Sequence, residues 1–199
     1  GPNCLIGVAD CGGHGVPGAM MTMLARAAID QAINLIGPTS PAALLNQIDA
    51  AMRTMLRDGE LPSAIATSMD VGLCYIDRSA GLLRFAGARM SLYWSDGATV
   101  EEIAGNRRAL CDKRVGAYQD QEVPLQPERT YYLLTDGILD QAGGELGYGF
   151  GSTRLAQMLR EHAGLDMAEQ AAAFEAALLR YQGSLPQRDD MTLLSFRFN

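Results

Sequence analysis

The chain has 199 residues, of which 48% are hydrophobic and 20% are charged, and its formal net charge is −7 at pH 7. This size and composition predict a single globular domain over residues 1–199 that can bury a core of its own. The negative charge argues against nucleic acid and against anionic membrane surfaces as partners, because both select basic proteins. The cysteines are scattered without a C-x-x-C pair, which favours free thiols and a cytoplasmic setting.

The beginning of the chain predicts one strand followed by two helices. An apolar run over residues 5–9 ends at Asp10 and a glycine-rich turn, as expected for a buried strand that delivers a carboxylate to a sheet edge. Residues 17–36 have the composition of a helix that starts at a proline and stops at Gly37. Residues 41–58 repeat apolar side chains at helical spacing, with Ser40 as the expected N-cap. The chain enters its first strand without a leading loop, which suggests a segment excised from a longer protein.

After Pro62 the apolar period changes from helical to two. Alternate residues from Ile65 to Tyr75 and a turn at 77–81 predict a long hairpin. Residues 91–94 and 100–103 predict another pair of strands around an Asp-Gly turn. The stretch from 105 to 120 has no period and contains Arg107, Arg108, Lys113 and Arg114, so we expect a surface loop able to approach a substrate.

The last third predicts a strand, two helices and a closing strand. Residues 130–135 form a near-continuous apolar run that ends at Asp136. Helices are expected over 152–163 and 167–182, and a strand over 191–198. This order indicates an α+β fold with an antiparallel sheet, and it lacks the alternation of a Rossmann domain.

Three aspartates lie next to predicted strand ends: Asp10, Asp136 and Asp189. Carboxylates that converge repel one another unless cations lie between them. Oxygen ligands favour hard ions such as Mg²⁺ or Mn²⁺ over zinc. Taken one at a time, each Asp beside a Gly is more commonly a turn residue or a helix cap. The set of three favours metal ligation.

Three segments of the sequence resemble the motifs of one protein family. Residues Asp10 to Gly15 resemble the D-x-x-G-H-G block of the SpoIIE/RsbU-like bacterial branch of the PP2C (PPM) protein serine/threonine phosphatases. Thr135-Asp136-Gly137, followed by Gly149 to Leu155, resembles the T-D-G block and the F-G-x-x-R-L segment, and Asp189 to Thr192 resembles the terminal D-D-x-T. The blocks occur in family order across nearly the whole chain, and the run from Asp140 to Glu145 is similar to SiaA-type members.

The resemblance implies a PP2C-like antiparallel β-sandwich flanked by helices, with two Mn²⁺ or Mg²⁺ ions at its site. It implies that Asp10 bridges the ions, that the Cys11 carbonyl completes one of them, and that Asp136 and Asp189 each ligate one. Asp140 corresponds to a carboxylate linked to a third, weaker metal. These residues would act through metal-bound water, which attacks phosphoserine or phosphothreonine without a phosphoenzyme.

The resemblance also implies partners and a cellular context. The substrate would be a phosphorylated protein of the anti-sigma-antagonist (STAS) type in bacterial signalling. The paired helices over 17–58 would form a dimerisation or switch element, and the chain would be the cytoplasmic domain of a membrane-anchored sensor, itself without membrane contact. Two departures stand out: nothing before Asn3 supplies the family's additional acidic N-terminal strand, and Gly12 occupies the position of a general-acid histidine in the eukaryotic branch. That role does not transfer to His14.

Two other functions remain open from the residues. The chain could be a phosphatase-like binding module without turnover, because part of the family's N-terminal sheet is not in the sequence. Alternatively, Cys11 could be a nucleophile with His14 as its base, although no third orienting group is evident.

Overall fold

The computed structural model describes residues 2–58 and 68–198. It divides the chain into two compact units, each with its own antiparallel sheet and helices. The first unit comprises Gly1–Met90 and Ala104–Leu125, and the second comprises Ser91–Ile103 and Gln126–Asn199.

Helices and strands are named here in chain order across both units. Within the described residues they are β1 (Cys4–Cys11), α1 (Gly15–Ile36), α2 (Pro41–Asp58), β2 (Met69–Asp77), β3 (Leu82–Ala88), β4 (Leu92–Ser95), β5 (Val100–Ile103), β6 (Gln121–Pro124), β7 (Thr130–Leu134), α3 (Asp136–Asp140), β8 (Ala142–Gly143), β9 (Tyr148–Gly149), α4 (Gly151–His162), α5 (Met167–Gln182) and β10 (Leu193–Arg197). None of the helices in this part of the chain combines the length and the apolar character needed to cross a membrane.

The first unit is built on a sheet with the strand order β1-β2-β3-β6. The buried residues of α1 recur at the spacing of one helical face and are Gly18, Met21, Ala25, Ala28 and Ala32. Those of α2 include Leu44, Leu45, Ile48 and Met52, which are fully buried in the same core. Burial of these stripes, at about 25 cal/mol per Å² of apolar surface, stabilises the helices on the unit.

The predictions for the first unit are confirmed where the structure describes it. The helices expected over 17–36 and 41–58 are α1 and α2, and α1 starts slightly earlier, at Gly15. The predicted hairpin is β2 and β3, although Ile65 and Thr67 lie outside the described residues. The short strand β6 was not expected, because its polar sequence carries only one buried side chain, Val123.

The stretch over 105–120 differs from the expected surface loop in one respect. Arg107, Lys113 and Arg114 are exposed, but Arg108 is only 8% exposed. Its Nη1 lies 3.0 Å from Asp49 Oδ2 on α2. The prediction that Arg108 lies on the surface was therefore wrong, because a carboxylate far away in the sequence neutralises its charge inside the unit.

The second unit is built on a sheet with the strand order β10-β7-β4-β5 and carries the small β8-β9 hairpin. Its core joins the sheet to α4 and α5 through buried side chains that include Tyr132, Leu134, Leu155, Leu159 and Phe174. Asp166 and Glu169 form a capping box at the start of α5. The strands and helices predicted after residue 130 are confirmed, and so is the α+β class with antiparallel sheets.

Candidate functional site

In the first unit, Asp10 lies next to the end of β1, directly before the glycine-rich turn into α1. Gly13 and Gly15 have φ values of 96° and 64°, in the region that favours glycine. A Cβ on Gly18 would lie 2.8 Å from the Gly13 carbonyl oxygen, so α1 starts in backbone contact with the turn. These glycines let the chain reverse within a few residues after Asp10, which keeps that carboxylate at the end of the sheet.

Asp10 has an acidic neighbour that the sequence interpretation did not identify. In the antiparallel pairing of β1 with β2, Asp10 lies directly opposite Asp70. Side chains at such positions share one face of the sheet, and like charges there are destabilising unless a cation compensates them. Arg89 supplies one positive charge, with its Nε 3.6 Å from Asp70 Oδ2. An aspartate within an otherwise apolar strand was the available signal, but only the strand register connects it to Asp10.

Cys11 and His14 do not have the features of a nucleophile and its base. The Cys11 thiol is half-buried, with its Sγ 3.5 Å from Met69 Sδ. Burial raises its pKa, a hydrogen bond with Thr22 lowers it, and the charge of Asp10 raises it again, with a net increase. A reactive cysteine requires the opposite shift. His14 is exposed at the N-cap of α1 and makes no capping hydrogen bond with its side chain.

In the second unit, Asp136 is the first residue of α3, immediately after β7. The residue before it, Thr135, ties this junction to the segment that carries Asp189. Thr135 Oγ1 donates to the Asp190 carbonyl at 3.1 Å and accepts from the Thr192 N–H at 3.0 Å. The T-D-G segment therefore lies against the D-D-x-T segment.

Close packing explains why the residue after Asp136 is a glycine, Gly137. It is buried, and a Cβ at this position would clash with the Asp190 carbonyl oxygen and lie 3.3 Å from the Cβ of Asp189. Any other residue would push the two segments apart. The structure thus brings the segments that carry Asp136 and Asp189 into contact within the second unit.

The carboxylates of the second unit are available for a ligand. Asp136, Asp140 and Asp189 are exposed, and among the ion pairs of the described residues none involves these three side chains. Asp140 lies one helical turn after Asp136, at the end of α3. Asp189 Oδ1 accepts from the Asp190 N–H at 2.8 Å.

The donor chemistry fits hard divalent cations. Carboxylate oxygens predominate in both units, and oxygen donors are the ligands that Mg²⁺ and Mn²⁺ prefer. In the first unit, the thiol of Cys11, next to Asp10 in the chain, is half-buried and has a raised pKa. Over residues 2–58 and 68–198, no three His, Cys, Asp or Glu side chains are already gathered as a metal-binding group. Asp10 belongs to the first unit, and Asp136, Asp140 and Asp189 belong to the second.

Comparison with known proteins points to one family. The family model of stage II sporulation protein E (SpoIIE) matches residues 1–199. Among solved structures, the chain is similar to the SiaA-PP2C domain of Pseudomonas aeruginosa, with 59% sequence identity and a TM-score of 0.90. That match covers 98% of this chain and 75% of the other. No curated protein sequence matches the chain significantly.

More distant solved structures share the fold. The RsbU and RsbW domains of a Mycobacterium tuberculosis protein match with 18% identity and a TM-score of 0.76, over 98% of this chain and 51% of that one. The PP2C phosphatase domain of SpoIIE from Bacillus subtilis, solved with a fragment of its regulatory domain, matches with 16% identity and a TM-score of 0.71. This match covers 98% of the present chain and 53% of the other.

Proposed function

Because this chain belongs to the SpoIIE family of PP2C-type protein serine/threonine phosphatases, we propose that residues 1–199 act as one catalytic domain that hydrolyses phosphoserine or phosphothreonine on a partner protein. The family resemblance seen in the D-x-x-G-H-G, T-D-G and D-D-x-T segments is confirmed by the match over the whole chain. The PP2C-like fold is confirmed by the structural similarity.

One observation carries the proposal of a metal-dependent activity. Gly137 and Thr135 hold the Asp136 and Asp189 segments in backbone contact, and both carboxylates are exposed without a basic partner. Two exposed carboxylates carried by segments in contact are suited to share a divalent cation, because carboxylate oxygens are the ligands that Mg²⁺ and Mn²⁺ prefer.

The residues take the following roles in this proposal. Asp10, the Cys11 backbone carbonyl, Asp136 and Asp189 would be the ligands of two Mn²⁺ or Mg²⁺ ions. Asp140, one helical turn after Asp136, is the ligand for a weaker third ion. When bound, such ions lower the pKa of water and stabilise negative charge on phosphoryl oxygens. The task of the chain itself is to fix these carboxylates and, among the described residues of the second unit, to leave Asp136, Asp140 and Asp189 outside its ion pairs.

The similarity to the SiaA-PP2C domain supports a proposal for the protein partner. We infer a phosphorylated STAS-like regulator in bacterial signalling, with this chain as the cytoplasmic part of a membrane-anchored sensor.

Dimerisation through residues 17–58 is part of the same inference, since α1 leaves Val16, Met23 and Leu35 exposed by 75%, 74% and 64%. Light scattering over a range of protein concentrations tests the dimer, and a mass that stays monomeric contradicts it.

The activity is tested by phosphate release from a phosphoserine peptide with Mn²⁺ or with EDTA. We expect turnover with Mn²⁺ only, and loss of at least about a hundredfold in Asp136→Asn, since bound cations supply several kcal/mol of transition-state stabilisation. Asp166→Asn is the matched control, because this exposed N-cap of α5 can be replaced by asparagine without loss of capping. Equal activity in Asp136→Asn and Asp166→Asn contradicts the proposal.

The same phosphate-release assay distinguishes the phosphatase from the two alternative functions, a binding module and a cysteine hydrolase. A binding module would retain the phosphopeptide without releasing phosphate at any Mn²⁺ concentration. A cysteine hydrolase would be inactivated by Cys11→Ser and be indifferent to EDTA; the raised pKa of Cys11 argues against it.

A further inference from the structure

Gln141 is a fully buried polar residue directly after α3. Its Nε2 donates to the carbonyl oxygens of Ala142 at 2.9 Å and Pro186 at 3.2 Å. Its Oε1 accepts from the Arg188 N–H at 3.4 Å. A buried amide is costly unless it is hydrogen-bonded, so these contacts fix the side chain in one orientation.

Two of the partners of Gln141, Pro186 and Arg188, lie shortly before Asp189 in the chain. Gln141 directly follows Asp140, the last residue of the short helix α3 that begins at Asp136. A single side chain therefore connects the end of the α3 segment to the start of the Asp189 segment.

Thr135 connects the same two segments from the other side. It precedes Asp136, and its hydroxyl bonds to the backbone of Asp190 and Thr192, after Asp189. The Asp189 segment is thus attached on both sides of the acidic residue. The attachment after Asp189 is reinforced by the backbone bond from the Thr135 N–H to the Thr192 carbonyl at 3.1 Å, whereas the attachment before it depends on Gln141.

We propose that Gln141 is a positioning residue that fixes Asp189 relative to Asp136 and thereby sets the affinity of the protein for its divalent cations. This inference rests on the proposed function, because it assigns Asp136 and Asp189 as ligands. Groups that orient metal ligands typically change metal affinity by about 10- to 100-fold when removed. An amide is suited to this position, because it anchors the segment without adding a charge that would compete with a cation.

The chain contains a matched control in Gln170. It is also fully buried, lies in α5 of the same unit, and donates through Nε2 to the carbonyls of Ala163 at 3.1 Å and Leu165 at 3.3 Å. These bonds hold the loop between α4 and α5. Replacing either glutamine with leucine removes a buried amide with two carbonyl partners, so the losses of stability are similar, but only Gln141 is bonded to the Asp189 segment.

The test compares the wild-type protein, Gln141→Leu, Gln141→Glu and Gln170→Leu by calorimetric titration with Mn²⁺. We expect the Mn²⁺ dissociation constant to rise about tenfold or more in Gln141→Leu and to change less than about twofold in Gln170→Leu. Gln141→Glu retains the acceptor for the Arg188 N–H but places a buried negative charge against the carbonyl oxygens of Ala142 and Pro186, so we expect it to weaken Mn²⁺ binding as Gln141→Leu does. If the leucine variant does not fold, the Mn²⁺ dissociation constant of Gln141→Glu is compared with that of Gln170→Leu instead.

Hydrogen exchange in the metal-free protein adds a readout that does not depend on binding. The amides of residues 187–190 exchange faster in Gln141→Leu than in Gln170→Leu if Gln141 anchors them. Equal Mn²⁺ affinities of the two leucine variants, or unchanged exchange over residues 187–190, overturn the positioning role while the wild type still binds Mn²⁺. A wild type that binds no Mn²⁺ overturns the proposed function, and the positioning role with it.

Discussion

Two irregular segments, one in each unit, are anchored by different chemistry. In the first unit, the stretch over 105–120 is held on α2 by charged side chains: Asp49 accepts from Arg108 at 3.0 Å and from the Cys111 N–H at 2.6 Å, and Arg53 donates to the Asp112 carbonyl at 2.6 Å. In the second unit, the segment that carries Asp189 is held beside α3 by uncharged groups, with Gln141 bonded before Asp189 and Thr135 bonded after it.

A basic side chain is compatible with a structural carboxylate but not with a carboxylate that is proposed to bind a cation. A guanidinium beside Asp49 neutralises a carboxylate whose only role is structural. The same group beside Asp136 or Asp189 would compensate their charge and lower their affinity for a cation. Neutral anchors hold the second segment and leave its carboxylates without a basic partner.

The largest expected effect comes from Gly137→Ala, which breaks the contact between the Asp136 and Asp189 segments. The added Cβ clashes with the Asp190 carbonyl oxygen. We expect Mn²⁺-dependent kcat/KM to fall about a hundredfold, since a ligand displacement near 1 Å has effects of this size. Gly164→Ala is the control, because a Cβ there meets nothing within 4 Å. Full activity of Gly137→Ala would show that the two segments need not touch.

The charged anchor of the first unit is tested by Asp49→Ala. Removing one member of a buried ion-paired group leaves Arg108 uncompensated, and we expect the free energy of unfolding to fall by about 3 kcal/mol. Asp30→Ala removes another i,i+4 partner of an arginine, but that pair is exposed by 76% and 51%. Its loss should cost less than about 0.5 kcal/mol in urea unfolding. Equal losses would show that the Asp49 network adds nothing beyond a surface pair.

The same anchor predicts a pH dependence. Burial raises the pKa of Asp49, but hydrogen bonds from Cys111, Arg53 and Arg108 outweigh it and hold the pKa below its ordinary value of 3.8. This stabilisation is complete above the unfolded pKa and is lost as the pH falls through the lower folded pKa. The stability advantage of wild type over Asp49→Asn should therefore be constant above about pH 5 and shrink below pH 3.8. An advantage that is unchanged down to pH 2 would contradict an ionised anchor.

The smallest effect is expected from Asp70→Asn, opposite Asp10. Cross-strand charge pairs contribute about 0.2–1 kcal/mol, so removing this neighbouring charge should weaken Mn²⁺ binding about two- to fivefold. Glu122→Gln is the matched control, since Glu122 lies in the same sheet and pairs with Arg84 at 3.1 Å. Equal effects of the two substitutions in a Mn²⁺ titration would remove any special role for Asp70.

The helices, the strands and the acidic segments could be predicted from the sequence, because the periods of helices and strands and the glycine turns are visible within a few consecutive residues. Contacts between residues far apart in the sequence could not be predicted in this way. Asp70 faces Asp10 only through the strand register, Arg108 is buried only because α2 supplies Asp49, and Gln141 acts only because residues 186–188 return to it. The sequence therefore predicted the candidate ligands but not the residues that support them.

Asp136 and Asp189 are proposed to be ligands within one divalent-cation site, and calorimetric Mn²⁺ titration of the wild type, Asp136→Asn, Asp189→Asn and the double variant tests this proposal. Ligands of one site are not independent, so each single substitution should weaken binding strongly and the double variant should be little worse than the weaker single one. A wild type without a binding isotherm, or four proteins with the same affinity, would contradict the claim.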